Sequence, residues 1–223
     1  MFKGIKKFMI LVLFLTAVPI NAFGYDDGDF QIWQVDAEDI NIYKNVKFSM
    51  EQEYRFGENA TELYYQHYDF GFIYGFHKML DLGFFYRMIF ERYKKKWREE
   101  DMPNVNATLK FDLWKFKLED RNRIELRYAR YRYDSVRYRN KATLKLPIDF
   151  AKQKMKITPY ISDEIFVVST GAGFSENRFA AGAEFELTKY VKADFYYMLK
   201  DNRTTYKKWT SSNVLGTKIK IAF

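Results

Sequence analysis

Leu215-Gly-Thr-Lys-Ile-Lys-Ile-Ala-Phe223 is the stretch that decides the fold. Leu215, Thr217, Ile219, Ile221 and Phe223 fall on one side of an extended chain; Gly216, Lys218, Lys220 and Ala222 fall on the other. Successive side chains of an extended backbone point to opposite faces, so a strict period of two is a β-strand, where an amphipathic helix would repeat at three and four. One face is apolar and the other basic. The strand therefore separates two unlike environments.

The same alternation runs upstream through almost the whole chain. Val46, Phe48, Met50, Gln52, Tyr54 and Phe56 oppose Lys47, Ser49, Glu51, Glu53 and Arg55; Tyr64 to Phe76 in steps of two oppose Tyr65, His67, Asp69, Gly71, Ile73 and Gly75. Ile124, Leu126 and Tyr128 oppose Glu119, Arg121, Arg123, Glu125 and Arg127, and Phe179 to Leu187 oppose Arg178, Gly182, Glu184 and Glu186. No sustained helical spacing competes, which predicts an all-β protein. Connections alternate in length as well. Lys44-Asn45, His77-Lys78, Lys115, 150–153 and 188–190 read as tight turns; 57–61, 92–103, 129–135, 168–177 and 201–212 read as longer polar loops. Aromatic residues gather toward both sets of connections.

At the other end, Lys3, Lys6 and Lys7 precede an apolar run from Phe8 to Val18, broken by Pro19 before the small residues Ala22 and Gly24. That is the pattern of a secretory signal peptide over residues 1–24, and the run is shorter than the roughly 20 apolar residues a spanning helix needs. Residues 25–223 are then expected to form a single exported domain. Cysteine is absent, so neither a disulfide framework nor a lipid-modified N-terminal Cys is available. A net charge of +8 is of the kind that accompanies nucleic-acid binding, but an exported chain does not meet nucleic acid, which is not expected as a partner.

Alternation alone does not say which face is inside, because a soluble barrel also alternates, with its apolar side inward. Three features favour the inverted arrangement, one being that the signal peptide and terminal Phe223 agree with membrane delivery. Glycines 71, 75, 83, 182 and 216 sit on the polar face, as a crowded interior requires, and the apolar face is too large and aromatic for a small barrel to enclose. The expectation is a transmembrane antiparallel up-and-down β-barrel of about 12 strands, with about 10 as the other count, since single-chain bacterial barrels carry an even number. Asp29 to Tyr43 is where the count is open: it would start at the long-loop rim, hold two short strands, or follow a tail through the lumen.

The blocks ELYYQHYDFGF, DLGFFYRMIFER, FKLEDRNRIELRY, VRYRNKATLKLP, PYISDEIF, NRFAAGAEFELTK and NVLGTKIKIAF resemble the family known as domain of unknown function 2490, predicted outer-membrane barrels of Gram-negative bacteria. The final strand likewise resembles the closing strand of such barrels. These resemblances imply an outer-membrane location, contact with lipid and lipopolysaccharide, and recognition of Leu215, Ile219, Ile221 and Phe223 by the barrel assembly machinery. They imply no activity, and no family catalytic residues are carried over. Oligomeric state is left open.

Function then rests on the inward face. Residues 117–128 and 136–146 read as hairpin partners that put Lys117, Arg121, Arg123, Arg127, Arg137, Arg139, Lys141 and Lys145 on one wall. Glu51, Glu53, Asp69, Glu184, Glu186 and Asp194 are the inward acids that could face them, with Asp81, Glu91 and Glu164. Unpaired buried charge is expensive, so one reading is a narrow barrel filled by salt bridges and serving a structural or interaction role. A second is an electropositive wall along a water path, favouring anions. A third is a lipid-modifying enzyme using His67 as base beside Asp69 and Ser49. No zinc spacing, P-loop or G-x-S-x-G occurs, and neither a metal nor a cofactor is expected from motifs.

Overall fold

The computed structural model describes residues 27–93, 96–150, 155–170, 173–203 and 208–223. The signal-peptide expectation for residues 1–24 lies outside them. The described chain is all β: β1 (Asp29–Tyr43), β2 (Val46–Gly57), β3 (Glu62–His77), β4 (Leu80–Tyr93), β5 (Lys96–Leu113), β6 (Phe116–Ala129), β7 (Ser135–Lys145), β8 (Ile148–Phe150), β9 (Met155–Val168), β10 (Gly173–Glu186), β11 (Val191–Arg203) and β12 (Trp209–Ala222).

Among the described residues twelve strands form, as the alternation predicts, and eleven of them close the barrel. The extra one is β8, which pairs with β9 below β7 on the same flank. Leu146 N–H still bonds to the Pro159 carbonyl at 2.9 Å, but Pro147 has no N–H to give. The interruption of that stave falls where a proline belongs in a sheet, at a break in the ladder.

An odd ring cannot alternate direction all the way round, so one neighbouring pair must be parallel. That pair is β1 and β12, in register from Asp29 opposite Ser212 to Asp39 opposite Ala222. All other neighbours are antiparallel. The even-number rule assumes antiparallel closure and does not hold here. Of the options for residues 29–43, the first is realised: one strand, starting at the rim opposite the Lys44-Asn45 turn. The seam is tied at its short-turn end, where Asn41 donates from Nδ2 to the Phe223 carbonyl at 2.6 Å and Phe223 N–H donates to the Asp39 carbonyl at 3.0 Å.

The stretch 92–103, read as a loop, is instead largely strand, and β4 and β5 run on to Tyr93 and Lys96. Its charges alternate, with Glu100 inward and buried and Glu99 outward, so the hairpin is extended and not looped. A bulge at Arg55/Phe56 in the β2–β3 pairing turns Tyr64 inward beside Tyr65, where the alternation had placed it outside.

The polarity of the barrel is inverted relative to a soluble one. Phe84 is 63% and Phe72 51% exposed on the exterior, while inward Glu125 and Arg123 are 0% and 6% exposed. Outward rings pair across strands, Phe48 with Phe72 at 5.4 Å, Phe70 with Tyr86 at 5.9 Å and Phe185 with Phe195 at 5.9 Å. Polar outward residues largely bond one another: Asn140 and Asn122 donate to Asp120, and Asn177 to Asp163. Gln34, Asp36, Glu38 and Gln52 add a second polar patch beside the seam.

The inward glycines do what a crowded interior demands. A Cβ on Gly216 would lie 1.9 Å from the Tyr196 ring, and one on Gly83 2.7 Å from the Phe85 ring. Inward aromatic rings lie over their glycine neighbours, and only a residue without a side chain leaves room.

Candidate functional site: the barrel interior

The interior divides into two halves. Toward the rim where β1 begins, arginines, carboxylates and rings crowd the section. Trp33, Met198, Val214 and Ala180 form one buried cluster; Tyr64, Tyr65, Ile89 and Met102 form another. The Arg55 guanidinium lies between the Trp33 ring at 3.6 Å and the Tyr65 ring at 4.1 Å, and its edge meets Glu53 at 3.0 Å. Phe166, fully buried, is faced by Arg139 and Arg178 at 4.5 Å. Above these, Glu100 receives Arg127 at 2.5 Å and Arg132 at 2.5 Å.

Most of the residues expected on the basic wall are paired. Glu125 takes Arg137 at 2.5 Å and Arg139 at 2.8 Å; Glu164 takes Arg139 at 2.8 Å and Arg121 at 3.0 Å. Arg123 donates to Asn106 at 2.6 Å and lies 3.7 Å from Glu125. Arg127 is held by Glu100, and Lys145 by Glu119 at 2.9 Å. Lys117 stands near the short-turn rim, opposite Asp112 and Lys145. Lys141 stands opposite Glu164 in the register.

The predicted acids do not all face that wall. Glu51 meets Lys218 at 2.6 Å, Glu53 meets Arg55, and Asp69 meets Arg87 at 2.5 Å. Glu184 and Glu186 share Lys192 at 3.0 and 3.2 Å, and Asp194 accepts from the Tyr160 hydroxyl at 3.0 Å. Arg55, Arg178, Trp33 and Phe166 carry much of the filling and lie outside the wall and acids that the sequence points to. The signal was available for Arg55 and Arg178, which fall on the inward phase; Trp33 lay in the segment whose path was open.

Toward the short-turn rim the pairs change character. Lys220 and Lys47 meet Asp39 at 2.7 and 3.8 Å, Lys110 meets Asp81, and Lys156 meets Glu186 at 3.5 Å. The lysine side chains there are 26–57% exposed, whereas Arg55, Arg87, Arg123 and Arg139 above are 6–10%. Arginine's planar fork suits buried carboxylates and lysine's hydrated ammonium suits water, so the residue choice largely follows the difference in exposure between the two halves, the vestibule below and the plug above.

Cavities remain between the charges. One of about 160 Å³ lies at mid-height, lined by eight cationic side chains against four carboxylates. It shares Arg121, Lys141 and Lys218 with a 320 Å³ vestibule cavity below, and Arg55, Arg87 and Arg178 with a 320 Å³ cavity above.

The candidate nucleophile set is only partly assembled. His67 and Asp69 both point inward, but the Ser49 hydroxyl donates to Asp39 at 2.8 Å and the Asp69 carboxylate holds Arg87. His67 instead lies between Glu53, 3.1 Å from Nδ1, and Glu51, 3.5 Å from Nε2.

A family model described as protein of unknown function (DUF2490) matches residues 30–210. Neither a curated protein nor a solved structure matches the chain.

Proposed function

The chain belongs to the DUF2490 family of proteins of unknown function, and on that premise we propose that it is an outer-membrane barrel with a closed, salt-bridged interior and a structural or interaction role in the bacterial envelope. The observation that carries this reading is the inversion of polarity. An exterior of half-exposed Phe, Tyr, Leu and Ile is stable against acyl chains and not against water. The closing strand, with Leu215, Ile219 and Ile221 outward, is the part the assembly machinery would receive, and the loops at the long-connection rim would meet lipopolysaccharide. The bonded Asp and Asn residues outside satisfy one another, as polar groups facing hydrocarbon must.

The mid-height cavity, with cationic groups outnumbering carboxylates two to one, favours a second reading: a narrow anion conduit. Planar bilayers separate the two. The filled barrel inserts without discrete conductance steps. Anion-selective steps that Arg121→Glu with Arg139→Glu weaken or reverse would establish the conduit and remove the closed-barrel reading.

A further inference from the structure

His67 is 1% exposed, and neither ring nitrogen has a hydrogen-bond partner of good geometry. Asp69 is 4% exposed, and its Oδ1 is also without one. Buried polar atoms left unpaired each cost about 1–3 kcal/mol, so His67 Nε2 and Asp69 Oδ1, unpaired on the same stretch of inner wall, indicate something that fills the space between them. The β2–β3 register explains the convergence. Glu51 stands directly opposite Asp69, and Glu53 directly opposite His67, all on the inward phase.

We propose that Glu51, His67 and Asp69 bind a divalent metal ion of the zinc class on the inner wall. One ligand atom from each lies within 4.8 Å of the others. An imidazole with two carboxylates is a donor set for borderline divalent ions, with coordination positions left for water.

The atoms not used for the metal are already engaged. Asp69 Oδ2 accepts from Arg87 Nε at 3.1 Å and Nη2 at 2.5 Å, which leaves Oδ1 as the free donor atom. Glu51 Oε2 accepts from Lys218 at 2.6 Å, which leaves Oε1, the oxygen 3.5 Å from His67 Nε2. His67 Nδ1 faces Glu53 Oε2 at 3.1 Å. A carboxylate behind the second nitrogen fixes the tautomer and leaves a lone pair on Nε2, the arrangement usual for ligating histidines.

Arg87 Nη2 is 3.6 Å from Glu51 Oε1 and opposes a cation there. The wider set is balanced, because Glu51, Glu53 and Asp69 stand against Arg55, Arg87 and Lys218. Access is from the vestibule side: Glu51 and Asp69 line a cavity of about 200 Å³ whose other charged members are Asp39, Asp81, Arg121, Arg123, Lys218 and Lys220. On the far side the Tyr65 ring meets the imidazole edge-on at 5.7 Å.

The competing occupant is a proton, which would make His67 an imidazolium between two carboxylates. The test is a zinc titration of the metal-stripped full chain in detergent near neutral pH, read by calorimetry and by competition with a chromogenic chelator. One zinc ion per chain is expected. His67→Gln should lose that binding, and Glu53→Gln, which alters no ligand, should weaken it about 10–100-fold. Heat-modifiable gel migration checks that both variants are folded; should His67→Gln not fold, nitrogen-15 imidazole spectra of the unaltered protein give the same answer. Absence of stoichiometric zinc binding, binding unchanged in folded His67→Gln, or an imidazole protonated on both nitrogens in the presence of zinc overturns the proposal.

Discussion

Glu125→Ala is expected to lower the unfolding free energy by about 3–5 kcal/mol, the range for removing one partner of a buried charge network. Glu125 is fully buried and touches three guanidinium groups: Arg137 at 2.5 Å, Arg139 at 2.8 Å and Arg123 at 3.7 Å. Without it, Arg139 keeps Glu164 and Arg123 keeps Asn106, and the Arg137 side chain is left between Phe166 and Met102 Sδ with that carboxylate gone. Glu186→Ala provides the contrast. Glu186 pairs with exposed lysines of the vestibule, where water and salt screen the pair, and its loss should change stability by less than about 1 kcal/mol. Urea titration of both variants in lipid vesicles measures the difference. Equal effects would mean that water already reaches the guanidinium groups around Glu125 and that the plug is open.

The second large effect is expected outside. Phe72→Arg should destabilise the vesicle-inserted protein by about 2–4 kcal/mol, the penalty for a guanidinium facing hydrocarbon near the bilayer midplane. Phe72 points outward from β3, pairs in register with Phe48 and Phe84, and is half exposed. In a water-soluble barrel the same substitution at a half-exposed position would be close to neutral and would aid solubility. A change within about 0.5 kcal/mol would therefore contradict a lipid-facing exterior.

Much of the barrel is legible in period-two alternation because the two faces meet unlike surroundings along every stave. What the alternation leaves out are departures from strict period two and pairings between distant strands. Tyr64 is on the outward phase by counting, and only the bulge at Arg55/Phe56 brings it inside, a local backbone event with no marker in residue type. Residues 92–101 read as a loop because charge density resembles a loop, yet inward Glu100 and outward Glu99 keep the alternation once Glu100 has Arg127 and Arg132 to meet. The odd stave number is invisible from any single strand. It shows only in the parallel pairing of β1 with β12, while the break at Pro147 divides one stave into β7 and β8 and brings the strand count to twelve.

For the interior, sequence gives the face but not the partner. The β6–β7 hairpin sets Arg121 opposite Lys141 and Arg123 opposite Arg139 in register. Its carboxylate Glu164 comes from β9, and which acid reaches which base depends on strand stagger around the ring. The same holds for His67. Its neighbour Asp69 is evident two residues on, but Glu51 and Glu53 approach only through the β2–β3 register, and Ser49 turns away to Asp39.

Cysteine is absent from the chain, so single cysteines can be introduced at chosen sites and spin-labelled without interference. Phe195→Cys, Tyr197→Cys and Leu199→Cys place labels along the exterior of β11, and Tyr133→Cys places one on a connection that is 93% exposed. In vesicles, the three β11 labels should collide with oxygen, which concentrates in the acyl region, and be shielded from a water-soluble nickel complex that readily reaches Tyr133→Cys. Nickel collisions at the β11 positions matching those at Tyr133→Cys would show that this apolar wall faces water, and the membrane account would be wrong.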